Sequence, residues 1–157
     1  MGKFNDKISA EYHPPRKWVL ERALSYTNPD LEVDALKEIG VQVTSTGKIT
    51  CKKEFVTDLA SVPRICWMLI APWDIARAAI IHDLLYKRIR QYRAKQGNLS
   101  KNREVVNNYK TAKKEADRVF LAAMKDADPS VPKWKIYSAY YSVVLFGRWS
   151  IIPREED

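Results

Sequence analysis

The chain has 157 residues, 46% hydrophobic and 29% charged, with 27 basic residues against 19 acidic ones and a net charge of +8. That length is the size of one domain, and the composition excludes a long disordered chain. No apolar run approaches the roughly 20 residues that span a bilayer, so the positive excess points to anionic partners: nucleic acid, phospholipid headgroups or an acidic protein surface.

Met1 to Lys7 has no apolar segment behind its lysines, so no cleaved signal peptide is expected. Asp6 removes the Ser/Thr context that myristoylation at Gly2 needs. Cys51 and Cys66 are too few for a disulfide framework or a structural zinc site, and synthesis in a reducing host cytoplasm is expected. The first half then reads as β. Trp18-Val19-Leu20 and Leu24-Ser25-Tyr26 follow Pro14-Pro15 as a strand that begins once the prolines end. Asn28-Pro29-Asp30 is a turn. Leu31 to Ile39 fits a short helix closed by Gly40 or a strand with a loop, and the loop is preferred. Val41-Gln42-Val43 alternates, Thr46-Gly47 turns and Ile49-Thr50-Cys51 returns, which predicts a hairpin.

The second half reads as α. Pro63 can open a short helix through Arg64 to Ile70, stopped by Pro72. A long helix is predicted from Asp74 to Tyr92, broken by Gln96 to Ser100, and another from Glu104 to Met124. In the latter, Ala112, Ala116, Val119, Phe120, Ala123 and Met124 form one broad face. Pro129 and Pro132 precede a third long helix, Lys133 to Phe146, ended by Gly147. The expected fold is α+β: an N-terminal antiparallel β hairpin or small sheet packed on a C-terminal bundle of about three helices, the two central ones antiparallel. It is read as a single domain over 1–157, β-rich over 12–56 and helical over 62–147, with a tail over 148–157. From Lys87 to Arg118, eleven basic residues face three acids, so this fifth of the chain carries the whole net charge.

His82 and Tyr86 lie one turn apart on the first long helix and share a face, with Ala78 a turn before them. Asp83 projects about 100° away, so an adjacent His and Asp can serve two neighbouring subsites. Asp117 falls on the apolar side of the next helix, where a carboxylate needs a donor or a cation. Antiparallel packing would bring it to His82, the arrangement that makes an imidazole a general base; the plainer reading sets Asp117 at the rim with Lys113 or Lys114. Asp58 and Ser61 can cap the short helix, with Arg64 pairing Asp58. Alternatively Asp58 joins Asp83 on a hard cation, for which carboxylates suit calcium or magnesium. The histidine–aspartate phosphohydrolases need further histidines, and only His13, in a predicted loop, remains.

Two resemblances meet at these residues. Phe55 to Arg64, Ala79 to Tyr86 and Ala116 to Met124 resemble an uncharacterised family of phage and prophage proteins, over Trp18 to Gly147. The order Asp74, Ala76-Arg77, His82-Asp83, Tyr86, Gly97-Asn98 and Ala116-Asp117 to Phe120 is similar to phospholipase A(2), particularly its compact domain in parvovirus capsids. The resemblance implies that His82 activates a water on an ester, that Asp117 orients His82, that Tyr86 supports the pair, and that Asp83 holds calcium to stabilise the oxyanion. Where that family has a glycine-rich calcium loop, this chain has Thr57-Asp58-Leu59-Ala60-Ser61. Either Asp58 replaces carbonyl ligands or the calcium site is lost.

Two functions follow as expectations. One is a phage-encoded phospholipase-like hydrolase that docks on an anionic lipid or envelope surface through Ser61, Arg64 and the basic residues Lys87, Arg88 and Arg90. The other is a non-enzymatic virion protein of the tail or connector, incorporated into the phage particle, in which the His82–Asp117–Tyr86 network is structural. Its docking surface would be Trp134, Tyr137, Tyr140, Tyr141 and Trp149, although the plainer reading has these cover the core. Nucleic-acid binding rests on charge alone and ranks below both. A His82 ring with one nitrogen on Asp117 and the other open to a cleft would favour catalysis; an enclosed ring would favour the structural role.

Overall fold

Short apolar and alternating segments separated by turns pair into two small antiparallel sheets in the computed structural model, which describes residues 1–59, 75–97, 101–127 and 130–157. The strands are β1 (Lys3–Phe4), β2 (Ala10–His13), β3 (Lys17–Leu20), β4 (Leu24–Thr27), β5 (Lys48–Cys51) and β6 (Val56–Thr57). One sheet has the order β1-β4-β5 and the other β2-β3-β6. The single strand predicted after Pro14-Pro15 is therefore two strands in two sheets. It divides at Glu21 to Ala23, where Glu21 N–H turns to the Ser9 carbonyl. β3 does begin once the prolines end.

The predicted hairpin is also different. β5 pairs along its length with β4, from Leu24 opposite Cys51 to Thr27 opposite Lys48. Val43 contributes only one isolated bridge to Ile49. β4 places Leu24, Ser25 and Tyr26 in the interior, so it buries more by pairing than the Val41-Gln42-Val43 segment does. His13 ends β2 instead of lying in a loop, and β1 precedes the segment read as β. Leu31 to Ile39 contains a helix, α1 (Asp34–Glu38), not the preferred loop. Tertiary contact decides this: Leu36 is buried and its N–H donates to the Glu115 carboxylate at 3.0 Å, satisfying a donor that a helix start leaves open.

Three long helices follow: α2 (Ala76–Gln96), α3 (Arg103–Lys125) and α4 (Lys133–Ser150). The short helix predicted over Arg64 to Ile70, with Ser61, Cys66 and Asp74, lies outside the described residues. Asn102 caps α3, its side chain accepting from Glu104 N–H at 2.9 Å. The six residues of the predicted α3 face are all fully buried. His82 and Tyr86 both bond Asp117, Tyr92 bonds Asn108, and Arg93 lies over Tyr109, so positions on α2 rise as those on α3 fall. The two central helices are antiparallel, as predicted, and the architecture is α+β with small N-terminal sheets and a C-terminal helical bundle.

α4 does not end at Gly147. It runs three residues further, and Gly147 is a contact point within it: a Cβ there would overlap the Tyr86 hydroxyl of α2. Glycine to alanine inside a helix ordinarily stabilises by about 1 kcal/mol. Here Gly147→Ala is expected to destabilise by about 1–3 kcal/mol through overpacking. Urea unfolding checks this, and Gly147→Ala should cost less in a Tyr86→Phe background, where the clashing oxygen is already gone, than in the unsubstituted chain.

Candidate functional site

α2 is buried on nearly every side, so the polar residues within it must be satisfied internally. His82 and Tyr86 are fully enclosed and Asp117 is 3% exposed. The predicted meeting of α2 and α3 takes place: His82 Nε2 lies 2.9 Å from Asp117 Oδ1, and Tyr86 Oη donates to the same oxygen at 2.6 Å. Asp117 Oδ2 accepts from Lys113 Nζ at 2.7 Å, and Lys113 also donates to the Val143 carbonyl of α4 at 3.1 Å. Asp117 is thus buried against His82 and not at the rim, yet it keeps the pairing with Lys113 that the rim reading gave it. Lys113 joins the network, and its spacing of four residues from Asp117 was the available signal.

Burial pushes the Asp117 carboxyl up, but the bond and charge of His82 and then those of Lys113 outweigh it, and the net shift is below the ordinary carboxylate value. Asp117 is therefore an anion that only accepts, which requires His82 Nε2 to carry the proton. Burial first, then the Asp117 charge and hydrogen bond, drives the Tyr86 hydroxyl well above its ordinary range, so it stays a donor. With Nε2 bonded to Asp117, Nδ1 is the ring nitrogen left over. That atom is buried and has no hydrogen-bond partner among the described residues. The ring itself is held between Tyr86, 4.0 Å away by centroid, and Phe120, stacked at 4.7 Å.

Asp83 serves a separate neighbourhood, as its angular offset from His82 predicts. The Thr57 hydroxyl of β6 donates to Asp83 Oδ2 and in turn accepts from Leu59 N–H at 3.1 Å. Cys51 is a free, buried thiol, pushed up by burial and then by the Asp83 charge. Asp58 and Asp83 line one cavity of about 110 Å³. Two carboxylates on one cavity are the beginning of a hard-cation site, but no group of three metal-ligating side chains occurs among the described residues. The described donors alone do not make a calcium site, and no chemical step is routed through one. Asp58 lies 3.8 Å from Arg154, a partner in the tail; Arg64, its predicted partner, lies outside the described residues together with Ser61.

The predicted binding cations divide. Lys87 sits over the Phe55 ring at 5.7 Å and lines the Asp83 cavity, and Arg88 is exposed and bonded to Gln91. Arg90, expected on an exposed basic surface, is instead buried and paired with Asp157 at 2.7 Å. Part of the basic stretch therefore works inward, and nothing in the sequence pattern marked Asp157 as its partner. On α4, Trp134, Tyr141 and Trp149 are more than half exposed and Tyr137 is 38% exposed, while Tyr140 packs on the core. Four of these five aromatics thus do not cover the core.

No curated protein and no solved structure matches the chain. Residues 33–143, from the start of α1 through most of α4, match the model of a family described as a protein of unknown function (DUF1353). That span contains His82, Asp83, Tyr86, Lys113 and Asp117, and the chain belongs to the DUF1353 family.

Proposed function

We propose that this chain is a phage-encoded, phospholipase-like hydrolase in which His82 is the general base that draws a proton from water as it attacks a lipid or envelope ester. The carrying observation is His82 Nδ1, a buried ring nitrogen with no partner among the described residues, on a ring whose other nitrogen is held by Asp117. A histidine kept only for packing gains from pairing both nitrogens, and a half-satisfied buried network is worse than an apolar one. An unpaired acceptor beside an oriented, stabilised N–H is what proton abstraction needs. Asp117 would hold the tautomer and stabilise the imidazolium, with Tyr86 and Lys113 fixing Asp117. The enclosed ring is the arrangement expected of the structural role, so on the hydrolase reading substrate reaches Nδ1 only through a local opening.

The test is ester release from vesicles of mixed phosphatidylcholine and phosphatidylglycerol, with added calcium and with a chelator. Turnover in either condition supports the reading, and its absence in both overturns it. Turnover confined to calcium and lost in Asp83→Asn would assign calcium to Asp83, with Asp58 the next ligand to test.

A second reading is favoured by two observations: the His82 ring has no exposed surface, and α4 presents Trp134, Tyr137, Tyr141 and Trp149 to solvent. On it the chain is a non-enzymatic virion component, the network fixes helix packing, and the α4 face docks on another particle protein. It expects His82→Ala to lower the melting temperature and block particle assembly together. Particles that assemble normally around a destabilised His82→Ala chain would exclude it.

A further inference from the structure

The residues after α4 fold back along the flank of α2 where the basic stretch begins. Arg93 Nη1 donates to the Ile151 carbonyl at 2.6 Å and Arg90 Nη1 to the Ser150 carbonyl at 3.3 Å. The chain then turns so that Asp157 Oδ2 accepts from Arg90 Nε at 2.7 Å and from Arg154 N–H at 2.9 Å. The Asp157 side chain has no exposed surface, and its Oδ1 is buried without a partner among the described residues.

These contacts wall one side of the cavity at Asp83. From the body of the protein the cavity takes three cations, Lys17, Lys87 and Arg90, and two carboxylates, Asp58 and Asp83. The tail adds Arg154, Glu156 and Asp157, so that among the described lining residues it brings two acids and one cation to the three cations of the body. A guanidinium binds its preferred anions through two parallel bonds. Asp157 gives Arg90 one, and the other carboxylate oxygen bears the cost of a buried, unmade hydrogen bond. The anion now seated on Arg90 is a poor fit to it.

We propose that Arg90, with Lys87 and Lys17, is an anion-binding subsite that takes a phosphate group beside Asp83, and that the Asp157 carboxylate of the chain's own tail occupies it when no phosphate is bound. Phosphate suits three cations better than a second carboxylate, having more oxygens and more charge to share among them. Its arrival displaces the tail's acids, which would otherwise repel it. The subsite goes beyond the hydrolase reading, because it binds an anion whether or not His82 performs chemistry.

The full-length chain and its Asp157→Asn variant are titrated with inorganic phosphate by calorimetry at low ionic strength. Asp157→Asn weakens the tail's hold and is expected to bind phosphate at least about ten-fold more tightly, a change of about 1.4 kcal/mol. Arg90→Gln combined with Asp157→Asn leaves neither buried charge alone, so it should fold, which its melting curve checks, and it should lose the gained affinity. Equal affinity of Asp157→Asn and the unsubstituted chain overturns the proposal, as does full affinity in a folded double variant. Sedimentation with phosphatidylglycerol vesicles separates the sources: binding that rises with Asp157→Asn assigns a lipid headgroup, and unchanged vesicle binding beside tighter inorganic phosphate assigns the free anion. No turnover is measured, so an inactive enzyme leaves the result readable.

Discussion

Replacing Asp117 by alanine is expected to lower the melting temperature by about 10 °C. The substitution strands the Lys113 ammonium, the His82 Nε2–H and the Tyr86 hydroxyl around an empty site at the junction of α2, α3 and α4. Removing one partner of a buried ionic network costs about 3–5 kcal/mol, and each kcal/mol shifts a chain of this length by about 2–4 °C. Thermal unfolding followed by circular dichroism measures it. A loss of only a few degrees would mean that water reaches the stranded groups and that the network is less enclosed than its burial implies.

The same carboxylate sets an acid limit on stability. Asp117 titrates below its ordinary value of 3.8, so between that value and the depressed one the unfolded chain binds a proton that the folded chain does not. Its contribution is complete above the ordinary value and is lost as pH falls through the depressed one. Urea unfolding at successive pH values from 6 to 3 should show this loss, and Asp117→Asn should flatten that part of the curve while lowering stability at neutral pH. An acid limb equally steep in Asp117→Asn would assign the loss to other carboxylates.

The second large effect is expected in activity. His82→Gln keeps an amide N–H within reach of Asp117 and removes the basic lone pair at Nδ1. If His82 is the general base, ester turnover should fall by about 10²–10⁴-fold, while the melting temperature moves by only a few degrees. The virion reading shares the small shift in melting temperature, because Gln preserves the bond to Asp117 and with it the packing, but it expects no turnover in either chain and normal particle assembly around His82→Gln. Turnover within a few-fold of the unsubstituted chain would remove His82 from the chemistry. Tyr86→Phe is a milder companion: it deletes one bond to Asp117, worth about 1.5–3 kcal/mol for a charged acceptor, and leaves the lone pair in place.

Much of the helical half was legible because its signals are local. The 3.6-residue recurrence from Ala112 to Met124 and the break at Gly97 each act within a few residues of where they are read. The pairing of His82 with Asp117 followed from two further local facts, a carboxylate on an apolar face and a short connection that makes neighbouring helices antiparallel. The β half was less legible, because its strands are two to four residues long and a strand's partner is not written in its own sequence. Val41-Gln42-Val43 alternates as well as β4 does, but Ile49 bridges Val43 alone on one edge of β5 while β4 pairs along the whole of the other. Leu36 needed Glu115, 79 positions away, before α1 was worth forming.

By itself the sequence determined the charge and its concentration over Lys87 to Arg118, the three long helices, and the residues able to form a His–Asp–Tyr network. Only the tertiary structure decided which of those charges meet solvent. Arg90, Arg93 and Lys113 turn inward to Asp157, Ile151 and Asp117, since a long cationic side chain at a helix junction is placed by whichever acceptor is buried beside it. It also decided that Gly147 is a contact and not a stop, and that His82 is sealed with one nitrogen unpaired. Periodicity names the face on which a side chain lies; what closes over that face depends on elements distant in the chain.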